Sequence, residues 1–199
     1  ARNTATEAAL TTLAADTGEN DPMHPDTVGH YIRALERLMV LEPLLAWHPV
    51  LRSKARVRTS AKHHFVDPAM TASLLRAGPE ELSLDLKTFG LLFESLVLRD
   101  LRVYAGPLYA SVRHFRDSSG REVDFVVESD SHQWAAFEVK LTGTHEVLEK
   151  AAAQLISFAD TVDTQSSGKP VALGVIVAEG HAYTRPDGVH VIPLGALGP

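Results

Sequence analysis

The stretch REVDFVVESDSHQWAAFEVK (Arg121–Lys140) reads as two β-strands joined by a short polar turn. A turn over residues 129–133 sets a register that places Glu128 opposite Trp134 and Asp124 opposite Glu138. Two like charges about 5 Å apart across a hairpin destabilise it unless a proton or a cation lies between them. Lys140 lies on the same face as Glu138, about 7 Å along the strand. The hairpin therefore predicts a charged site made by these three side chains.

A third acid lies on a helix predicted over residues 88–104. The positions three and four residues before and after Glu94 hold only apolar residues or glycine, namely Gly90, Leu91, Val97 and Leu98. A carboxylate on an apolar stripe must be neutralised, paired or coordinated. Gln154, in EKAAAQLISF, is a further polar residue among apolar neighbours, on a helix predicted over residues 146–159.

The chemistry of these residue types favours a divalent cation. Two strand acids and a helical glutamate supply the oxygen ligands that Mg²⁺ or Mn²⁺ prefers, and these ions keep waters for a phosphate substrate. A lysine beside such a site can orient or deprotonate the attacking water and offset charge in the transition state of phosphodiester hydrolysis. The alternative is that the acids form structural ion pairs with Lys140, Arg121 or Arg116.

The composition limits the class of protein. With 199 residues, of which 45% are hydrophobic, the chain can bury a core in one large domain or two small ones. No apolar run approaches the roughly 18 residues that span a bilayer, and no signal peptide opens the sequence, so we expect a cytoplasmic protein without membrane contact. The absence of cysteine excludes disulfides and thiolate metal sites. The formal net charge of -6 requires any DNA contact to be local.

The first part of the chain predicts a helix-turn-helix. Helical spacing runs over residues 6–15, and a second helix follows Asp26, its candidate cap, with an apolar face made of Val28, Tyr31, Ile32, Leu35 and Leu38. The outer face of this second helix would offer DNA four polar side chains, those of Thr27, His30, Arg33 and Arg37. A small helical packing module is the alternative interpretation.

A basic segment follows the second helix. Residues 51–64 include Arg52, Lys54, Arg56 and Arg58 and contain no acid. They predict either a wing-like ribbon that contacts phosphates or a solvated loop or ribbon edge protected by its charge.

The remaining sequence predicts an α/β fold. After the helix over residues 88–104 come strands over 111–116, 122–128 and 134–140, the helix over 146–159, an apolar strand over 171–177 and a short strand over 189–192. This order indicates a mixed sheet flanked by helices. We therefore expect a winged-helix-like segment over residues 1–64 and an α/β domain over residues 65–199. Because the sequence opens inside a helical pattern without methionine, we expect a fragment of a longer polypeptide.

The order of FGLLFE (residues 89–94), GREVDFVV (120–127), FEVK (137–140) and EKAAAQL (149–155) resembles the PD-(D/E)XK nuclease superfamily. More closely, nearly the whole chain resembles the C-terminal region of bacterial and archaeal AAA-type P-loop ATPases. In that family a winged-helix segment precedes a restriction-endonuclease-like domain of unestablished function. Residues 27–47, 51–70, 89–105 and 114–128 carry this closer resemblance.

The resemblance implies a role for each site residue. Glu94, Asp124, Glu138 and the carbonyl of Val139 would bind Mg²⁺ or Mn²⁺; Lys140 would be the catalytic lysine, acting with Asp124, Glu138 and Gln154. Val123 stands where the superfamily usually has proline. The motif SSGKP (residues 166–170) cannot open a helix that cradles phosphates, so ATP would bind only through an N-terminal ATPase domain absent from this chain.

Two functions follow from the resemblance, and the sequence does not choose between them. The first is a metal-dependent nuclease-like domain that processes DNA under the control of an AAA-type ATPase. The second is a non-catalytic module of the same fold that binds DNA or a partner protein and regulates the ATPase. The expected partners are DNA and the chain's own ATPase domain, and a homo-oligomer stays open.

Overall fold

The computed structural model describes residues 3–18, 21–52, 56–58 and 60–198, so that Lys54 lies outside the described residues. The chain divides into two units, each made of two separate stretches. The first contains Ala1–Leu44 and Ser60–Ser95, and the second contains Leu45–Thr59 and Leu96–Pro199. The predicted domains, residues 1–64 and 65–199, stay a prediction.

The first unit contains short helices and a two-stranded ribbon. Its elements are α1 (Leu10–Ala15), α2 (Pro25–Arg37), β1 (Leu41–Leu44), β2 (Lys62–Phe65), α3 (Pro68–Leu75), α4 (Pro79–Leu84) and the first part of α5 (Leu86–Ala105). The helices α2, α3 and α4 each begin at a proline, whose fixed φ and missing N–H suit the first helical position.

The start of α2 differs from the prediction in its capping residue. His24, not Asp26, is the N-cap, and its Nδ1 accepts a hydrogen bond of 3.3 Å from the main-chain N–H of Asp26. Asp26 lies in the first turn, where its charge suits the positive end of the helix dipole.

The predicted apolar face of α2 is formed only in part. Val28 is buried, and Ile32 and Leu35 are half-buried. Tyr31 and Leu38 are 58% and 71% exposed. Leu38 follows the last helical residue, Arg37, so the helical repeat no longer directs its side chain inwards.

The ribbon of the first unit contains only the end of the basic segment, residues 62–64. The strands β1 and β2 pair antiparallel, with Leu41 opposite Phe65 and Leu44 opposite Lys62. Arg52, Arg56 and Arg58 lie between the two strands in sequence and belong to the second unit. These arginines lie in the connection between β1 and β2 and not in a strand, and a wing-like role for them stays a prediction.

The second unit contains a six-stranded mixed sheet flanked by helices, which confirms the predicted α/β class and mixed sheet. The strands are β3 (Ala110–Arg116), β4 (Glu122–Ser129), β5 (Trp134–Lys140), β6 (Ala172–Val177), β7 (Tyr183–Thr184) and β8 (His190–Pro193), in the order β3-β4-β5-β6-β8-β7. The pairs β5–β6 and β6–β8 are parallel, and the others are antiparallel. The helix α6 (His145–Thr161) connects β5 to β6, as a parallel pair requires, and α7 (Thr164–Ser167) follows it.

The core of this unit lies between α6 and one face of the sheet. Leu148, Ala151, Ala152, Leu155 and Phe158 recur at helical spacing on α6 and are buried. They pack against strand residues that alternate along the sheet, including Val126, Trp134, Ala136, Val175 and Val177. The ring of Trp47 joins this core, with its centroid 4.9 Å from that of Trp134. Burial of each large apolar side chain contributes about 1.5–3 kcal/mol.

The register of the β4–β5 hairpin confirms the predicted turn. Glu128 pairs with Trp134, Val126 with Ala136, and the last pair of this ladder is Phe125 with Phe137. Asp124 and Glu138 lie one position beyond that pair, on the side away from the turn. Among the described residues, no helix combines the length and apolar character that a membrane crossing requires.

Candidate functional site

Asp124, Glu138 and Lys140 lie together at the end of the β4–β5 hairpin that is remote from the turn. The Nζ of Lys140 lies 2.6 Å from Oε2 of Glu138 and 3.6 Å from Oδ2 of Asp124. One ammonium group thus contacts both carboxylates. We call these three residues the acid–lysine site.

The local backbone explains why Asp124 faces this site. The β4–β5 ladder ends at Phe125 and Phe137, while β5 continues beside β6, with Glu138 opposite Val175. Beyond the ladder, the main-chain N–H of Val139 donates a hydrogen bond of 2.8 Å to Oδ2 of Asp124. The pairing of β5 with β6 therefore fixes the position of Glu138. The hydrogen bond from Val139 fixes the carboxylate of Asp124 beside it.

Burial and charge shift the proton affinities at the acid–lysine site. Glu138 is only 5% exposed, and burial followed by the negative charge of Asp124 raises its pKa to about 8, although Lys140 opposes the shift. Burial lowers the pKa of Lys140, but the two carboxylates outweigh it and hold that pKa above its ordinary value. Without a metal, burial and repulsion therefore favour the protonated form of Glu138, whereas an additional cation would favour its ionised form.

The acid–lysine site opens into a pocket of about 920 Å³. Gly120 and Arg121, in the turn before β4, line one part of it. Residues of α6 line another part, and these are Val147, Lys150, Ala151, Ala153, Gln154 and Ser157. The structure thus brings Gln154 into the same pocket as Asp124, Glu138 and Lys140.

Glu94 belongs to the first unit, where it forms an ion pair. The Nζ of Lys62 donates a hydrogen bond of 3.3 Å to Oε1 of Glu94. Lys62 is 3% exposed and the side chain of Glu94 is 13% exposed. A carboxylate among apolar neighbours must be neutralised, paired or coordinated, and that of Glu94 is paired with Lys62. Its role as a metal ligand stays a prediction.

The chemistry of the acid–lysine site suits a hard cation. Carboxylate oxygens are the preferred ligands of Mg²⁺ and Mn²⁺, and the two carboxylates already share one positively charged group. Across the described ranges of the chain, no group of three or more His, Asp or Glu side chains is arranged to hold a metal ion. The ligands of a metal ion at the acid–lysine site would be the carboxylates of Asp124 and Glu138, a main-chain carbonyl oxygen and water.

The predicted DNA-contacting residues of α2 share one exposed side of the helix. Thr27, His30, Arg33 and Arg37 are all exposed, and Nη2 of Arg33 lies 3.0 Å from Nδ1 of His30. The helical repeat places such residues on one surface. Their contact with DNA stays a prediction.

The basic segment is attached to the second unit by main-chain hydrogen bonds. Ser118 N–H donates to the carbonyl of Arg56 at 2.8 Å, and Arg58 N–H donates to the carbonyl of Arg116 at 2.7 Å. The guanidinium of Arg52 donates to Oγ1 of Thr164 at 2.9 Å. The side chains of Arg56 and Arg58 are exposed, and phosphate contact by the arginines of this segment stays a prediction.

Sequence reasoning missed three polar residues of the pocket, which are Glu122, Lys150 and Ser157, and it named Arg121 only as a possible ion-pair partner of the acids. Lys150, Gln154 and Ser157 are spaced four and three residues apart, so they follow one face of a helix. This spacing is visible in the sequence once Gln154 is singled out. The position of Arg121 depends on the turn before β4 and has no such signal.

Comparison with known families finds a match that covers most of the second unit. Residues 89–197 match the model of a domain of unknown function, DUF4143. The chain belongs to the DUF4143 family. Residues 1–81 match a second domain of unknown function, DUF8612. DUF4143 is a domain often found with AAA ATPases, which agrees with the broader context that the sequence predicted.

No curated protein matches this DUF4143 chain. A chain of the refined half-complex from a tetradecameric assembly of Thermococcus gammatolerans McrB AAA+ hexamers with bound McrC is similar over 91% of this chain, with 11% identity and a TM-score of 0.36. The match spans 65% of the length of that chain. A similarity of this size assigns neither fold nor function to the DUF4143 chain.

Proposed function

We propose that the second unit is a PD-(D/E)XK nuclease-like domain that hydrolyses phosphodiester bonds in DNA with Mg²⁺ or Mn²⁺. The observation that carries this proposal is the contact of one ammonium group, that of Lys140, with the carboxylates of both Asp124 and Glu138. These groups line an open pocket together with Gln154. Paired carboxylates can hold the metal of such a hydrolysis, and a lysine and a helix amide can stabilise negative charge on the phosphate.

Each residue has a distinct role in this proposal. Asp124, Glu138 and the carbonyl of Val139 would hold the metal, which supplies Lewis-acid catalysis and lowers the pKa of a bound water. Lys140, oriented by the two carboxylates, would direct the attacking water and offset negative charge on the phosphate. Gln154 would donate its amide N–H groups to a phosphate oxygen.

The proposed partners extend beyond the pocket. We propose that the first unit is a winged-helix-like module that contacts DNA through α2, with Thr27, His30, Arg33 and Arg37 on its exposed side. The arginines of the basic segment would add phosphate contacts. Because DUF4143 is often found with AAA ATPases, we propose that an ATPase domain binds ATP and controls this chain.

One observation favours the second candidate, a non-catalytic module that binds DNA or a partner protein and regulates the ATPase. Lys140 already compensates part of the charge of Asp124 and Glu138 without a metal. A site of this kind can stabilise the fold as an ion-pair network. Metal binding and cleavage therefore have to be measured separately.

The decisive experiment compares the wild type with three variants. Asp124→Asn tests metal binding, Lys140→Gln tests cleavage, and Asp130→Asn is the control. Asp130 is an exposed acid in the turn of the same hairpin, so its variant is a matched control. Binding to the folded state raises the melting temperature, so millimolar Mn²⁺ should raise it for the wild type and Asp130→Asn and leave Asp124→Asn unchanged. Labelled duplex DNA should be cleaved by the wild type and by Asp130→Asn, but at least about 100-fold more slowly by Lys140→Gln.

The outcomes separate the two candidates. A metal-dependent rise in melting temperature without DNA cleavage, at every metal concentration, favours the non-catalytic module. An unchanged melting temperature together with no cleavage contradicts the proposed function.

A further inference from the structure

The pocket has a second polar wall that the proposed hydrolysis does not use in full. Lys150, Gln154 and Ser157 are exposed on α6 and line the pocket of the acid–lysine site. We call these three residues the α6 stripe. The other side of the same helix is buried in the core through Leu155 and Phe158. The core thus fixes the rotation of α6 and turns the stripe towards the pocket.

The α6 stripe has unused hydrogen-bonding capacity. Within the part of the chain that the structure describes, none of its three side chains makes a hydrogen bond or an ion pair. Glu149, adjacent to Lys150 on the same helix, accepts a hydrogen bond of 2.8 Å from Arg185. Three polar side chains without partners in one pocket are therefore available to a ligand.

The charges of the pocket are arranged by depth. Glu138 is buried beside Lys140, whereas Lys150 is exposed on the α6 stripe. Arg121 lies in the same pocket, with its Nη1 3.6 Å from Oδ2 of Asp117. Glu122 also lines the pocket, where its Oε2 lies 3.9 Å from Nη1 of Arg116. A ligand that carries negative charge at several points would meet a metal at the buried acids and the positive and neutral donors of α6 beside them.

We propose that the α6 stripe binds phosphates next to the bond that is hydrolysed, along one strand of the nucleic acid. This inference rests on the proposed function. From Lys150 to Ser157 the helix rises about 10 Å, which equals about three nucleotide steps measured along the axis of a DNA duplex. Lys150 contributes the charge, and Gln154 and Ser157 contribute neutral donors. Because these three side chains would contact phosphates and not base edges, the α6 stripe would position DNA without selecting its sequence.

The test measures the binding of a fluorescently labelled DNA duplex by anisotropy over a salt series. Ca²⁺ replaces Mg²⁺, since it also binds carboxylate oxygens. Lys150→Gln should weaken binding and reduce the slope of log K against log salt by about 0.9, the contribution of one phosphate contact. Ser157→Ala should weaken binding about 2- to 10-fold and leave the slope unchanged, because it removes a neutral donor. Lys169→Gln, at an exposed lysine outside the pocket, should bind like the wild type.

A cleavage assay in Mn²⁺ supplies a second readout. Lys150→Gln should raise KM with little change in kcat if it contributes substrate binding. Equal affinity and equal salt slope for the wild type, Lys150→Gln and Lys169→Gln would overturn the inference, and the proposed function would stand if the wild type still cleaves DNA. Absence of DNA binding and cleavage by the wild type, even at the lowest salt, would overturn both.

Discussion

The carboxylate of Asp124 accepts a hydrogen bond of 2.8 Å from the main-chain N–H of Val139. This contact lies just beyond Phe125 and Phe137, the last pair of the β4–β5 ladder. A side-chain acceptor thus replaces a main-chain acceptor where the two strands cease to pair. Asp124 is thereby held beside Glu138 and Lys140, although the two carboxylates repel each other.

Glu138 should make folding stability depend on pH in the absence of divalent cations. Its pKa is raised from 4.5 to about 8, so between these values the folded state binds a proton that the unfolded state lacks. Stability should therefore fall as the pH rises from about 5 to 8, with a contribution of roughly 3–5 kcal/mol from this group. Glu138→Gln should remove most of this decline. Urea unfolding in EDTA over this range measures it.

Asp130→Asn is the control for this pH prediction, because Asp130 is exposed in the turn of the same hairpin. This variant should keep the wild-type decline. If Glu138→Gln also keeps the full decline, the pKa of Glu138 does not control stability in this range.

Glu94→Gln should destabilise the chain by about 1–3 kcal/mol, because it removes the carboxylate that pairs with the buried ammonium of Lys62. Glu80→Gln, at an exposed glutamate of α4, should change stability by less than about 0.5 kcal/mol. Chemical unfolding in EDTA compares the two variants. Equal stabilities would show that the ion pair contributes nothing.

The same variant tests the metal role implied for Glu94. If Glu94→Gln abolishes the rise in melting temperature caused by Mn²⁺, Glu94 belongs to the metal ligands. If the rise is unchanged, the role of Glu94 is limited to its pair with Lys62.

Gly174→Ala should destabilise the chain by about 1–3 kcal/mol through overpacking. A Cβ on Gly174 would lie 2.9 Å from Cδ1 of Phe137, its partner in the parallel β5–β6 ladder. Phe137→Leu removes the ring, so Gly174→Ala should cost less in that background. A double-mutant cycle by urea unfolding measures the difference. Equal costs in both backgrounds would contradict a clash with the ring.

The sequence predicted local elements well where the pattern alone decides them. The strand Trp134–Lys140 and the hairpin register were predicted correctly, because alternation and a short polar turn leave little freedom. The helix α6 is only slightly longer than its predicted range of 146–159. For the basic segment the sequence left a wing-like ribbon and a solvated loop open, because nothing in its charge pattern reveals its main-chain partners. These partners, Arg116 and Ser118, lie about 60 residues away in the chain.

The sequence by itself determined the mixed α/β class and the approach of Asp124, Glu138 and Lys140, because strand alternation and a short turn are local properties. Only the tertiary structure paired Glu94 with Lys62 and turned Lys150, Gln154 and Ser157 towards the acid–lysine pocket. Both results depend on how a helix packs on residues distant in sequence, and the periodicity of a helix defines its faces without specifying what each face contacts.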